Sequence, residues 1–270
     1  MQYILLFIVL IIQSMAQNNC VQAINSIKQK EISERKYLMG IAYKHGLCVQ
    51  KNLIKSFEYF FESNLNNYPL SKYELAEMYY YGEGTKKDYF KAYAIYMEIL
   101  SNMHRDSIIN TKIAYMNLKG YGVDKNLTKA REFYTKAANF GHLGANYDLA
   151  LIYSSGLGVD KNLTEAIKYL GKVVDNRDIS NYIRPKAMYI LAQILNIENQ
   201  KKYSKKILNL LIKSAIEGHK EAQVTLGKGY ILGKDIDQDM KKAKIFIQRA
   251  KEQNSTEAEK LWNKYELWKF

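Results

Sequence analysis

Along most of the chain one local pattern returns: an apolar residue, a small residue beside it, and a tyrosine four positions after the first. Met39-Gly40 with Tyr43, Leu75-Ala76 with Tyr79, Leu149-Ala150 with Tyr153 and Leu226-Gly227 with Tyr230 are instances. Positions four apart share one face of an α-helix, and a small residue beside them lets a second helix come close. Setting Gly46, Gly82, Gly120, Gly156 and Gly233 as a common zero places these residues at −7, −6 and −3. The first four zeros lie 36, 38 and 36 residues apart, and the last interval, 77, spans two repeats. The missing zero falls near Glu198, where Leu191 and Ala192 continue the columns and Leu195 replaces the tyrosine. Ile113 and Ala114 continue them in the third repeat, with Asn117 at −3.

A second small-residue column lies ten positions after the zero, at Ser56, Ala92, Ala130, Ala166 and Ala243, and an amphipathic stretch runs from it to Ala137-Ala138, Ser214-Ala215 or Ala250. Each repeat is therefore a helix, a turn and a second helix. Pro69 and Pro185 both fall between repeats, where a helix must stop. Six such units of about 36 to 42 residues account for most of the chain.

The stretch from Ala145 to Ala166, Ala-Asn-Tyr-Asp-Leu-Ala-Leu-Ile-Tyr-Ser-Ser-Gly-Leu-Gly-Val-Asp-Lys-Asn-Leu-Thr-Glu-Ala, resembles the Sel-1-like repeat, a relative of the tetratricopeptide repeat, and Asn117 to Ala130 matches nearly as well. The family's Gly-x-Gly-Val turn is complete in these two, keeps both glycines at Gly82 and Gly84, and keeps one at Gly46 and at Gly233. The fifth unit has neither, which puts its turn in doubt. The resemblance implies an all-α, right-handed α-solenoid of about six repeats that acts by protein–protein contact, with bacterial members often secreted or periplasmic. Two roles follow from it: a scaffold or adaptor of the bacterial envelope, or a periplasmic immunity protein that occludes a type VI secreted phospholipase or lipase toxin. The expected division is a signal peptide at 1–16, an N-terminal capping helix at 17–35, the solenoid at 36–252 and a C-terminal capping helix at 253–270. In that last helix Ala258, Leu261, Trp262, Tyr265 and Trp268 share one side, as a solenoid's end requires.

Ile4 to Ile12 is an unbroken apolar run followed by Ser14-Met15-Ala16. Nine residues at about 1.5 Å each cannot cross a hydrocarbon layer of roughly 30 Å. The run reads as a secretory signal cleaved after Ala16, although no Lys or Arg precedes it. Export to the periplasm, or secretion, is the expectation, without an integral membrane span. Cys20 and Cys48 are the only cysteines. In an oxidising compartment they suggest a disulfide, whose loop closure contributes on the order of 3–4 kcal/mol.

Composition narrows the choice of partner. Of 270 residues, 47% are hydrophobic and only 2 are proline, which excludes a disordered or proline-rich chain. Lys and Arg number 40 against 27 acidic residues, a net charge of +13. The expected partner is a protein with an acidic contact surface, bound by a monomer; export argues against nucleic acid. No catalytic, cofactor or metal residues are assigned. Gly-x-Gly lacks the third glycine or Gly-Lys-Ser/Thr of a phosphate loop and serves as a turn. His45, His104, His142 and His219 are scattered and show no zinc spacing. His142 and His219 are expected to close the second helix of a repeat as cations. The sequons at Asn126 and Asn162 sit where a capping side chain is needed. An enzyme is not expected.

Binding residues are sought on the face formed by positions one, two, five and nine before the zero, which the resemblance makes concave. These are Tyr73, Glu77, Tyr80 and Tyr81, then Tyr115 and Lys119, then Tyr147, then Tyr189, Gln193 and Lys228. Tyrosine offers large contact area at low entropic cost.

Overall fold

The computed structural model describes residues 20–102, 106–176, 182–233 and 235–270. The expected signal peptide at 1–16, the start of the N-terminal cap at 17–19 and His104 lie outside them. The described elements are the α-helices α1 (Cys20–Lys28), α2 (Ile32–His45), α3 (Leu53–Leu65), α4 (Pro69–Tyr81), α5 (Tyr89–Asn102), α6 (Ser107–Lys119) and α7 (Leu127–Asn139), followed by α8 (Leu143–Ser155), α9 (Leu163–Asp175), α10 (Ile183–Ile216), α11 (Lys220–Leu232), α12 (Met240–Glu252) and α13 (Thr256–Lys264), then one 3₁₀ turn (Leu267–Lys269). Two compact units emerge, one ending at Ala130 and one beginning at Arg131, with the boundary inside α7. In the first unit each helix from α1 to α6 packs on the next; in the second the same holds from α8 to α13.

The repeat is built around its turn. The first helix ends where the zero glycine enters the left-handed region, with φ between 64° and 75° at Gly46, Gly82, Gly120, Gly156 and Gly233. An L side chain resists that conformation, so glycine ends the helix cleanly. Six residues on, an amide returns to the carbonyl of the −3 residue at 2.9–3.0 Å, as from Asp88 to Tyr79 and from Asn162 to Tyr153. The same residue caps the second helix: Asn52, Asp88, Asn126, Asn162 and Asp239 each accept from the amide three positions later at 2.9–3.0 Å. At Asn126 and Asn162 the sequon is thus a helix start.

The −6 and −7 columns form the core. Leu75, Ile113, Leu149, Leu191 and Leu226 are buried, as are the small residues beside them. A Cβ on Gly40 would lie 2.6 Å from the Phe60 ring, and one on Gly227 would lie 2.4 Å from Ile247 Cδ1. The −3 tyrosines are half-buried; Tyr43, Tyr153 and Tyr230 stack on the second helix of their own repeat, Tyr43 on Tyr59 at 5.4 Å and Tyr153 on Tyr169 at 5.8 Å, whereas Tyr79 meets Phe57 of the preceding repeat edge to face at 5.3 Å.

The fifth repeat has no such turn. Helical geometry runs from 183 to 198 and again from 200 to 216, broken only by Asn199 in an extended conformation (φ −165°, ψ 89°). Its side chain accepts from the Lys202 amide at 3.0 Å, so a single asparagine replaces the glycine loop and starts the second helix about a turn early.

Two expectations are corrected. His142 and His219 do not close a helix as cations. Each opens the following one, its Nδ1 accepting from Ala145 at 3.0 Å and from Ala222 at 3.3 Å, which requires the neutral ring. Burial, with Lys186 adding to it against Glu221, pushes the His219 pKa down. The C-terminal helix is also shorter than expected. It ends at Lys264, and Glu266 (φ 47°) reverses the chain. This change of phase buries Leu267 completely and leaves Trp268 49% exposed, so Trp268 does not share the side of Leu261 and Trp262.

A disulfide joins Cys20, the first residue of α1, to Cys48 in the first turn, with Cα atoms 5.2 Å apart. It ties the N-terminal cap to the first repeat.

Candidate functional site

In the first unit, α4, α6 and the turn between α6 and α7 bring aromatic rings together. Tyr80 and Tyr81 end α4, Tyr115 lies on α6, Tyr121 follows the zero glycine of the third repeat, and Tyr89 opens α5. Tyr89 and Tyr121 stack face to face, 4.4 Å between centroids and 5° between planes. Tyr80 meets Tyr81 at 4.9 Å and Tyr89 at 5.2 Å, edge to face, and Tyr115 meets Tyr121 at 6.0 Å. Edge-to-face and offset geometries suit the ring quadrupoles, worth about 0.5–1.5 kcal/mol per pair beyond buried area. Burial and the neighbouring phenols, Tyr115 first among them, push the Tyr80 pKa up, so its hydroxyl stays protonated.

One lysine organises the polar side. The Lys112 ammonium lies 2.9 Å from the Glu77 carboxylate, donates to the Tyr81 hydroxyl at 3.2 Å, and sits 5.1–5.2 Å from the centroids of Tyr80 and Tyr81. Burial pulls its pKa down, but Glu77 and Tyr81 outweigh burial and the net shift is upward. Glu77 also accepts from the buried Tyr96 hydroxyl, and Tyr73 packs against the Tyr96 ring at 6.4 Å. Tyr73, Glu77 and Lys112 thus frame the cluster, while Tyr81 (52% exposed) and Tyr115 (37%) face solvent. Lys119, exposed, lies over the Tyr115 ring at 5.6 Å.

The structure therefore brings Tyr73, Glu77, Tyr80, Tyr81, Tyr115 and Lys119 into one site. Tyr89, Tyr121 and Lys112 were absent from the sequence reading, which followed one face of the first helix and so missed Tyr121 of the turn, Tyr89 of the second helix, and Lys112, on the first helix eight residues before the zero and outside that face. Their signal was Tyr121 beside the zero glycine, but a glycine turn usually marks geometry rather than contact.

The second unit holds the remaining residues. Tyr189, Gln193 and Lys228 line one cleft of about 510 Å³ between the fifth and sixth repeats, with Leu208, Leu211 and Ile236 on its apolar side. Lys228 pairs with Glu257. Tyr147 is not among the residues lining that cleft. It is half-buried and adjoins Asp148, whose carboxyl burial raises to about pKa 6, against the Tyr134 hydroxyl that donates to it. Among the described residues no group of three His, Cys, Asp or Glu is placed to hold a metal ion, and no helix is long and apolar enough to cross a membrane.

Five segments, 36–64, 69–96, 110–142, 144–173 and 220–255, match the Sel1 repeat model, more than half of the chain. The unmatched interval contains the fifth repeat, the one without a glycine turn. Protein sel-1 homolog 2 of Mus musculus is 28% identical over 46% of this chain, and the ERAD-associated E3 ubiquitin-protein ligase component HRD3B of Arabidopsis thaliana is 33% identical over 31%. The matched parts are 16% and 13% of those proteins, so the chain spans a small fraction of their length. Among solved structures, a protective antigen of uropathogenic Escherichia coli strains, described as displaying an SLR fold, is similar over 86% of this chain and 48% of its own, at 28% identity and a TM-score of 0.71. A Sel1 repeat protein from Oxalobacter formigenes matches over 82% of this chain and 87% of its own, at 23% identity and a TM-score of 0.67.

Proposed function

We propose, since the chain belongs to the Sel1 repeat family, that it is a non-catalytic binding protein which holds another protein against Tyr80, Tyr81, Tyr89, Tyr115 and Tyr121. Sel1 repeat proteins in general mediate protein–protein contacts. The observation that carries this reading is the tyrosine cluster itself: two exposed rings on a frame already fixed by stacking and by the Lys112–Glu77 pair. Rigid aromatic anchors lose little entropy on binding and dominate many interfaces. The net charge of +13 favours a partner with an acidic contact surface.

The chain works outside the cytoplasm in this reading, in the periplasm or beyond. Two features support that: the Ile4–Ile12 run followed by Ser14-Met15-Ala16, and the Cys20–Cys48 disulfide, a bond that suits an oxidising compartment.

The test is affinity capture from the native envelope, then binding kinetics on variants. Tyr81→Ala and Tyr115→Ala are expected to weaken the captured complex by about 1–3 kcal/mol with little change in melting. Tyr79→Ala and Tyr153→Ala, half-buried −3 positions packed on Phe57 and on Tyr169, are expected to lower stability instead. Equal loss of folding in all four would show that the cluster is core and would sink the proposal. A secreted lipase as the captured partner makes the role immunity; a resident envelope protein makes it an adaptor.

A further inference from the structure

A different surface of the first unit carries an observation that the tyrosine site does not use. At the position eight after the zero, the second helices of the first two repeats present Ile54 and Phe90, 63% and 73% exposed. The same position holds Thr128, Thr164 and Lys241 in the third, fourth and sixth repeats, so the register itself does not demand an apolar side chain. Both residues stand among lysines. Lys51 and Lys55 flank Ile54, and Lys87 and Lys91 flank Phe90 at the same offsets, all four exposed.

Backbone packing puts the two sets on one edge. A Cβ on Gly84 would lie 3.0 Å from the Ile54 amide nitrogen, so the second turn presses on the start of α3, and Lys86 and Lys87 follow that glycine by two and three residues. A Cβ on Gly122 would lie 2.6 Å from the Phe90 nitrogen in the same way. Gly122 brings Asp124 and Lys125 beside Phe90 as Gly84 brings Lys86 and Lys87 beside Ile54. Three carboxylates therefore share this edge. Asp88 is engaged in capping α5 and lies 3.7 Å from Lys91, Glu83 adjoins His45, and Asp124 is exposed. Six lysines against these three, and Glu58 one turn further along the same face of α3, leave the edge cationic.

We infer that this edge docks on an anionic lipid surface, with Ile54 and Phe90 entering the headgroup layer and Lys51, Lys55, Lys86, Lys87 and Lys91 facing lipid phosphates. The residue types favour lipid over protein. Protein interfaces are depleted in lysine, whereas surfaces that lie in the membrane interface combine Phe or Ile with a lysine-rich surround. Each lysine near such a surface is worth roughly fivefold in partitioning. The docking is peripheral and needs no spanning helix; it adjoins the tyrosine site at Lys87, whose ammonium lies 5.7 Å from the Tyr89 centroid.

The experiment is co-sedimentation of the purified full chain with phosphatidylcholine vesicles and with 7:3 phosphatidylcholine:phosphatidylglycerol vesicles at low and high salt. The Ile4–Ile12 run brings its own affinity for either vesicle, so the readout is the increment due to anionic lipid. That increment is expected to fall at least about tenfold in Ile54→Thr/Phe90→Thr, which carries the residue used by the third and fourth repeats, with an unchanged circular dichroism melt. Lys51→Gln/Lys86→Gln is expected to remove about 25-fold at low salt and much less at high salt. Ile32→Thr, 56% exposed at the end of α2 far from the first turn, is expected to bind as the parent does. Absence of an anionic increment overturns the inference, as does an increment that survives Ile54→Thr/Phe90→Thr. Loss of a self-associated species in that variant, seen by sedimentation velocity with vesicle binding unaltered, would assign the edge to a second copy and overturn it equally.

Discussion

Gly120 and Gly122 stand two residues apart in one turn and have nearly the same backbone, φ 74° and 68°. Alanine at either pays the left-handed strain, about 1–2 kcal/mol, less a few tenths to one for the stiffer unfolded chain. At Gly120 that is all, because the nearest atoms to a new Cβ lie at 3.4 Å, an ordinary contact. At Gly122 the Cβ would sit 2.1 Å from the Tyr89 carbonyl oxygen and 2.6 Å from the next backbone nitrogen. Backbone cannot swing aside as a side chain can, so the turn must retreat by about an ångström. A gap of 0.5–1 Å forfeits a quarter to a half of each dispersion contact across it, and the Tyr89–Tyr121 stack lies across it. Overpacking of this kind costs typically 1–3 kcal/mol. Gly120→Ala is therefore expected to lose about 1 kcal/mol and Gly122→Ala about 2–4 kcal/mol. Urea unfolding followed by circular dichroism and by tyrosine fluorescence measures both, as a shift in midpoint at constant slope. Agreement of the two variants within about 0.5 kcal/mol would refute the argument that the second glycine sets the spacing between repeats.

Three further outcomes follow from titration and from the disulfide. The Asp148 carboxyl has a folded pKa of about 6 against 3.8 in the unfolded chain, so it disfavours folding above pH 6, and stability rises as pH falls from 7 toward 4. Asp148→Asn is expected to gain about 2–3 kcal/mol at pH 7 and almost nothing at pH 4 in paired melts. His219 has the opposite sign: its folded pKa lies below 6.5, so the capping contribution is complete above pH 6.5 and is lost as pH falls through the folded value. His219→Asn keeps an accepting cap that does not titrate, and its stability relative to the parent should rise between pH 6.5 and 5. Reducing Cys20–Cys48, which closes a 28-residue separation, is expected to cost about 3–4 kcal/mol. Hydrogen exchange should place that loss in α1 and the first repeat, since repeat stability depends on neighbours.

The helices, their order and the −7, −6 core columns were legible because they rest on the 3.6-residue period and on glycines that must adopt positive φ. The tyrosine site was legible only where it follows one helix. Tyr80, Tyr81 and Tyr115 share a face of the first helix, but Tyr89 and Tyr121 come from successive repeats, 32 residues apart, and meet only because Gly122 lets the turn approach α5. Lys112 was missed because a lysine on a helix is ordinarily solvated, and only the contact with Glu77 shows that this one is framed. His142 was misread because a histidine between two helices can close the first or open the second. The ring nitrogen that accepts from Ala145 decides it, and no spacing encodes which nitrogen is bare. Trp268 fits the helical period of Leu261 and Tyr265, and only the reversal at Glu266 takes it out of phase.

The two turns that lack the second glycine show the same rule from the other side. Cys48 and Asp235 occupy the position of Gly84 and Gly122, with the same left-handed backbone, φ 56° and 65°. A side chain is tolerated at Cys48 because, among the described residues, only α1 precedes the first repeat, where later repeats have a second helix. The space that Leu53 or Tyr89 fills elsewhere takes the Cys48 sulfur and its bond to Cys20. At Asp235 the preceding second helix begins about a turn early, at 200, since Asn199 alone replaces the loop. The sixth turn therefore does not close on that helix as Gly84 does on α3, and Asp235 lines the cleft of about 510 Å³ with Ser204, Leu208 and Gln193. Restoring glycine there, as Asp235→Gly, relieves the left-handed strain by a few tenths to about 1 kcal/mol without closing the cleft, because the missing contact belongs to the helix start and not to the side chain. Losing the glycine turn in one repeat thus has its structural consequence in the next, which is how a repeat protein acquires a local site from a local departure in sequence.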